Sequence, residues 1–175
     1  INPASRLAPI GAEHWLGSDA FGRDIYSRVI YGARVSIIVG LGAASLSLLF
    51  GLFIGILAGY FRVFDAIIMR IMDGIMAIPS ILLAISLVAL TGGSLLTVLV
   101  AIVIPEVPRV VRLVRGVILS IRHEPYVEAA VTLGTRTPRI IFRHLIPNTW
   151  APLIVQGTYV FASAILIESP LSFFG

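Results

Sequence analysis

The sequence predicts an all-α membrane protein that crosses the bilayer about four times. Its 175 residues are 58% hydrophobic and only 13% charged. With a mean hydropathy of +1.00, too few polar side chains remain to wet the surface of a water-soluble globule. Three stretches, Val35 to Phe61, Gly74 to Pro105 and Asn148 to Ile167, carry no charge at all. The charged residues are gathered between and before them, as expected where chain leaves lipid for water.

Val35 to Phe61 is the clearest span: 27 residues at ~1.5 Å each reach about 40 Å, enough to cross a ~30 Å hydrocarbon layer with tilt. Gly74 to Pro105 is too long for one crossing, and the Gly92-Gly93 pair supplies a turn that divides it into two helices. The second of these, from Ser94, must carry Glu106, Arg109 and Arg112 in its last turns, where long side chains can snorkel to the interface. Asn148 to Ile167 gives a fourth span, with Trp150 at headgroup depth. The chain opens at Ile1 without a methionine and stops at Gly175 just after an apolar span, so a piece of a longer protein is expected.

Composition excludes several functions. All 13 basic residues are arginine, so no lysine exists for a nucleotide-binding phosphate loop or a Schiff base. ATP hydrolysis is not expected of this chain. Without cysteine there is no thiol chemistry or disulfide, and His14, His123 and His144 lack metal-ligand spacing, so neither a cofactor nor a metal is expected. The formal net charge of +4 sits at the ends of apolar spans, which points to membrane lipid and topology rather than nucleic acid. Asp19 and Asp24 are a pair of acids without nucleophile or oxyanion donors beside them. A structural role is expected, with Asp24 and Arg28 paired at i, i+4 on a surface helix.

Seven arginines lie between Arg109 and Arg143 and two in the Arg62 to Asp73 connection, while the first 34 residues hold four against three acids. The positive-inside rule therefore puts the loop of about 119–147 in the cytoplasm and residues 1–34 outside, with the membrane domain over 35–175. Asp65, Arg70 and Asp73 read as solvated interfacial charges, and Arg109, Arg112 and Arg115 as a positive-inside anchor. Gly51, Gly55 and Gly59 recur every four residues on one face of the first span. Such a stripe lets a neighbouring backbone approach closely, and packing within the subunit is preferred over a subunit interface.

Pro125 can open a helix at no hydrogen-bond cost and Gly134 can end one in the left-handed conformation, so Pro125 to Leu133 reads as a short helix. Tyr126, Ala129, Ala130 and Leu133 form an apolar stripe at i, i+3, i+4, i+7, too small for a core of its own. Thr137-Pro138 restarts a helix that runs to Leu145, where Pro147 introduces the next span. Two readings fit this bracket equally: an interfacial hairpin resting on lipid, or an element that docks in a partner's groove.

Resemblance separates them. Glu128-Ala129-Ala130, Gly134 and then Pro147 resemble the EAA loop of permease subunits in binding-protein-dependent ABC importers, where that loop is the coupling helix that meets the ATPase. The upstream run His14, Leu16-Gly17-Ser18-Asp19, Gly22-Arg23-Asp24, Ser27-Arg28 and Tyr31 to Ser36 resembles the C-type permeases of dipeptide, oligopeptide and nickel importers. His144 to Asn148, and Glu168 with Leu171 to Gly175, match the same subfamily. Ser18 replaces the usual threonine, Trp15 a common proline, and His144 the isoleucine of the broader loop pattern.

The resemblance implies a truncated type I ABC importer transmembrane domain, short of a first and a last helix. It implies a multi-pass protein of a bacterial or archaeal plasma membrane that imports dipeptides or oligopeptides without being an enzyme itself. Nickel or glutathione is the alternative cargo. Implied partners are cytoplasmic ATP-binding subunits, a second, B-type permease and a periplasmic or lipoprotein substrate-binding protein. Glu128 would pair with a loop arginine or meet a basic residue of the ATPase. An ion-coupled carrier would need ionisable groups near the bilayer midplane, whereas Glu106 and Glu168 lie near span ends, and a membrane scaffold gives no reason for the bracketed loop.

Overall fold

The computed structural model describes residues 6–12, 14–91 and 94–174, the side chains of 91 and 169–174 excepted. The Gly92-Gly93 turn lies outside the described residues. Seven helices follow one another: α1 (Ile25–Tyr60), α2 (Arg62–Met76), α3 (Ser80–Thr91), α4 (Leu95–Ile121), α5 (Pro125–Thr132), α6 (Thr137–Ile140) and α7 (Ile146–Phe174). A π-helical turn, Ile141–Leu145, joins α6 to α7. The chain divides into two compact units, residues 1–38 and 39–175.

In the first unit, short turns precede the start of α1. The Asp24 carboxylate caps that helix by accepting from the Ser27 backbone N–H at 2.8 Å and its hydroxyl at 2.6 Å, which satisfies an otherwise orphaned N-terminal donor. Arg28 pairs with Asp19 at 2.9 Å. The expected Asp24–Arg28 pair is thus replaced, because a carboxylate at the cap position is better used on backbone N–H groups.

In the second unit α4 is the central helix. Its apolar first half, with Ala101, Ile102 and Val103, packs with Val39, Ala43, Ala84, Val88 and Ala164. Further along, Val110, Val114 and Ile118 pack with Ile56, Val127, Ile140, Leu145 and Leu153. α1 lies against α4 along the glycine row. A methyl group added at Gly55 would come within 2.7 Å of Val114, and one at Gly59 within 2.7 Å of Ile118, while Gly51 meets Val110. The partners are always 59 residues apart, so the helices run parallel in one constant register at near backbone contact.

Among the described residues two helices are long and apolar enough to cross a membrane, Ile25–Tyr60 and Thr137–Glu168, and the pair α2–α3, bent by 80°, makes a third if it is one broken span. This differs from the expected four in two places. α3 has only 12 residues, about 18 Å at ~1.5 Å each, because the chain already breaks before Pro79 and its preceding turn belongs to α2. α4 has the length, 27 residues, but its second half carries Glu106, Arg109, Arg112 and Arg115. As the buried centre of the unit it needs no uniformly apolar surface, and its charges are neutralised from within.

Pro147 does not interrupt the last helix. The chain from Thr137 to Glu168 is one 32-residue helix. The proline lacks the N–H that would bond four residues back, and the wide turn before it absorbs the mismatch, with the Ile146 N–H bonding Ile141 O.

Candidate functional site

The loop of 119–147 is built around α5, whose ends are set by local chemistry. Glu124 is extended (φ −70°, ψ 141°) and Pro125 follows at the first helical position, where its missing N–H costs nothing. At the other end Gly134 has φ +75°. The Gly134 N–H bonds Val131 O at 2.9 Å and the Thr135 N–H bonds Ala130 O at 3.0 Å, the paired bonds of a Schellman ending. No atom lies within 4 Å of where a Gly134 side chain would begin, so the requirement for glycine is conformational and not one of space.

One residue anchors α5. Val127 is 2% exposed and packs in the cluster that holds Ile118, Ile140 and Leu145. Tyr126 adds a second tether: its hydroxyl accepts from Asn148 Nδ2 at 3.3 Å and its ring lies 5.9 Å from that of His144. Asn148 also donates to His144 O at 2.6 Å. α5 is therefore fastened to the helix that becomes α7.

The remaining surface of α5 faces outward. Leu133 is 85% exposed and Tyr126 45%; Ala129 is exposed and Ala130 half-buried. The stripe of Tyr126, Ala129 and Leu133 is left open while Val127, on the adjoining face, does the anchoring. Sequence reasoning missed Val127 because the stripe holds more apolar residues. Its signal is a β-branched apolar side chain between Tyr126 and Glu128, legible only beside Ile118, Ile140 and Leu145. Glu128 is exposed, and its ionic neighbour is His123 Nδ1 at 3.9 Å rather than an arginine. Pro147 is exposed, one turn beyond Arg143.

Six arginines of α4 and the loop fall into two groups. Those of α4 are matched: Arg109 to Glu106 at 2.6 Å, Arg112 to Asp73 at 2.5 Å, and Arg115 to Asp65 through two bonds of 2.5 and 2.7 Å. Asp65 and Asp73 are thus ion-pair partners that tie α2 to α4 and not simply solvated charges. Two-point guanidinium–carboxylate pairing of this kind fixes orientation as well as distance. Arg136, Arg139 and Arg143, beyond α5, are exposed.

In the N-terminal unit, the backbone N–H of Arg23, then those of Phe21 and the Arg28 guanidinium, hold the Asp19 carboxyl below the usual carboxylate range. The Ser27 hydroxyl and N–H, followed by His14, do the same for Asp24. Both carboxylates are saturated with donors as structural acceptors, so neither is set up as a proton carrier. Among the described residues no group of three His, Asp or Glu side chains could hold a metal ion. A groove of about 360 Å³ between α1 and α7, lined by Leu41, Leu48, Ile154 and Phe161 among others, is almost wholly apolar. The exposed stripe of α5 offers a surface for contact.

Residues 47–175 match the family described as binding-protein-dependent transport system inner membrane component. The chain is 54% identical over 175 residues to a probable peptide ABC transporter permease of Sinorhizobium fredii, covering 100% of this chain and 60% of that one. It is 49% identical over 175 residues to a dipeptide transport system permease of Alkalihalophilus pseudofirmus, covering 99% and 58%. A di/tripeptide transport system permease of Pseudomonas aeruginosa is 42% identical over 176 residues, covering 100% and 58%. The chain thus spans roughly three-fifths of the length of these relatives.

Proposed function

Because this chain belongs to the family of binding-protein-dependent transport system inner membrane components, we propose that it is the larger part of a permease subunit that imports peptides using ATP hydrolysed by separate subunits. The observation that carries the reading is α5, a helix fixed from below by Val127 and presenting Tyr126, Ala129 and Leu133 outward. A short apolar face held rigidly at a surface is suited to seating in a partner's groove. Peptide as cargo follows the names of the relatives, and the absence of lysine from the chain supports placing ATP hydrolysis elsewhere.

In this reading residues 35–175 belong to the membrane domain of a bacterial or archaeal plasma-membrane protein. Residues 1–34 are extracytoplasmic, and the loop of 119–147 meets the cytoplasmic ATP-binding subunits. A second, B-type permease completes the pathway, and a periplasmic or lipoprotein substrate-binding protein delivers cargo. Gly134 aims the second half of the loop, Glu128 is available to a basic residue of the ATPase, and Gly51, Gly55 and Gly59 close the α1–α4 contact within the subunit. Movement of the ATPase subunits on binding ATP would pull α5. Through the Val127 cluster and the Tyr126–Asn148 bond the pull would pass to the continuous helix from Thr137 to Glu168, rocking the spans between inward- and outward-facing states.

The test is reconstitution of the complete permease with its ATP-binding subunits in proteoliposomes, comparing wild type with Leu133→Asp and Ala129→Asp. Both substitutions fall on the exposed stripe and leave Val127 in place. The expected result is loss of ATPase co-purification and of ATP-driven dipeptide uptake, with unchanged membrane insertion and melting. Undiminished uptake in both variants would remove α5 from the coupling role. Uptake of nickel but not of dipeptide by the wild type would replace the cargo.

A further inference from the structure

Where α1 and α4 touch, the apolar contact is interrupted by two polar residues. Ser47 and Glu106 are both 0% exposed. Glu106 Oε1 accepts from the Arg109 guanidinium at 2.6 Å, but among the described residues its Oε2 and the Ser47 Oγ find no hydrogen-bond partner. Their positions are related: Gly51 meets Val110, Gly55 meets Val114 and Gly59 meets Ile118, and the same offset one turn earlier pairs Ser47 with Glu106. A further turn back it pairs Ala43 with Ile102, both members of one buried cluster. The register therefore brackets the serine and the carboxylate from both sides and sets them opposite one another, one turn before the close approach of Gly51 to Val110.

We propose that Ser47 and Glu106 form a binding site for one water molecule between α1 and α4, bridging Ser47 Oγ to Glu106 Oε2. Three considerations select water. A carboxylate oxygen lacks a donor and a hydroxyl lacks its partner, so the occupant must donate to one and bond to the other, which water does with the two to four polar partners an internal water requires. Arg109 already balances the Glu106 charge, so the occupant is neutral and a metal cation is not called for. The site lies between two apolar clusters, where an unmatched polar atom is penalised most and a bridging water is retained. With its second oxygen satisfied, Glu106 acts as a positioning residue for Arg109, the first in the α4 series of Arg109, Arg112 and Arg115. The inference rests on the α1–α4 register and is independent of the transport reading.

The experiment uses the complete permease assembly. A structure at a resolution that shows ordered water is expected to reveal a peak at about 2.6–3.2 Å from both atoms. Direct contact between Ser47 Oγ and Glu106 Oε2, or a dry gap, overturns the proposal. Thermal unfolding supplies the second measurement. Ser47→Ala is expected to lower the melting midpoint in wild type and to change it little in a Glu106→Met background, where the bridge is already gone. An equal drop in both backgrounds means that the two residues act separately and also overturns it. Should Glu106→Met fail to assemble, the wild-type water peak decides.

Discussion

Two kinds of glycine serve different physics in this chain, and substitution separates them. Gly134 has φ +75° with open space around it, so Gly134→Val strains the backbone by about 1–2 kcal/mol and redirects the chain toward Thr137. Gly134→Asn, which tolerates the left-handed region, is expected to retain most of the coupling in an ATPase-stimulation assay. Gly55 is ordinary helix, but its added side chain would meet Val114 Cβ at 2.7 Å. Gly55→Val should therefore destabilise by ~1–3 kcal/mol through overpacking. Gly116 has nothing within 4 Å, and Gly116→Ala should be neutral or stabilise by up to ~1 kcal/mol. Melting of the detergent-solubilised complex checks the order: Gly55→Val lowest, wild type between, Gly116→Ala equal or highest. These roles differ in how well the sequence announces them. A lone glycine after a short helix marks its end by local rules, and a four-residue glycine repeat marks a close approach. The identity of the approaching helix depends on residues 59 positions away.

At the scale of elements, legibility follows the range of the interaction. α5 can be read from Pro125 and Gly134 because proline and glycine act within one turn. The Gly92-Gly93 pair likewise separates α3, which ends at Thr91, from α4, which begins at Leu95, whereas the break before Pro79 between α2 and α3 is hidden in uncharged sequence. The charges of α2 look solvated until their partners, 39 and 50 residues on, are in place. This long-range tie is testable by exchange: Asp65→Arg or Arg115→Asp alone should lower stability by about 1 kcal/mol, and the double swap should restore more than half. Failure of the swap to recover anything would show that the Asp65–Arg115 pair does not hold α2, leaving that to Arg112–Asp73 and to the packing of Met72. The start of α1 responds to acid instead. Asp24 and Asp19 are held below the ordinary carboxylate value by their donors, chiefly Ser27 for Asp24 and the Arg23 backbone N–H for Asp19. A depressed native pKa means that the stabilisation is complete above the unfolded value of about 3.9 and is lost as pH falls through the lower native one. The near-ultraviolet circular dichroism of Trp15, whose ring sits 5.2 Å from Tyr26, should fade on acidification below about pH 4 in a Trp150→Phe background. In Asp24→Asn the fading should be smaller, because an amide still caps the helix but has no charge to lose, and Asp19 alone is left to respond.

For the whole molecule the decisive quantity is orientation, and charge placement states it in advance. The arginines of α4 are cancelled by Glu106, Asp73 and Asp65, which leaves Arg136, Arg139 and Arg143 as the exposed positive group beyond α5. The positive-inside rule counts arginine in short loops and gives acids little weight, so the seven arginines between Arg109 and Arg143 are what predict a cytoplasmic α5. The chain contains no cysteine, which permits single-cysteine labelling in a complete permease freed of any other thiol. Phe21 is 59% exposed and Leu133 85% exposed, so both are open to a membrane-impermeant maleimide. Phe21→Cys is expected to label in intact spheroplasts and Leu133→Cys only after permeabilisation. The reverse pattern would put α5 on the face opposite the ATPase subunits and end the coupling reading, whereas the expected one makes the exposed stripe of α5 accessible from the cytoplasm. Adding the ATP-binding subunits to permeabilised membranes should then shield Leu133→Cys and leave Phe21→Cys unchanged. Docking blocks a side chain that it covers, and it cannot block one across the bilayer.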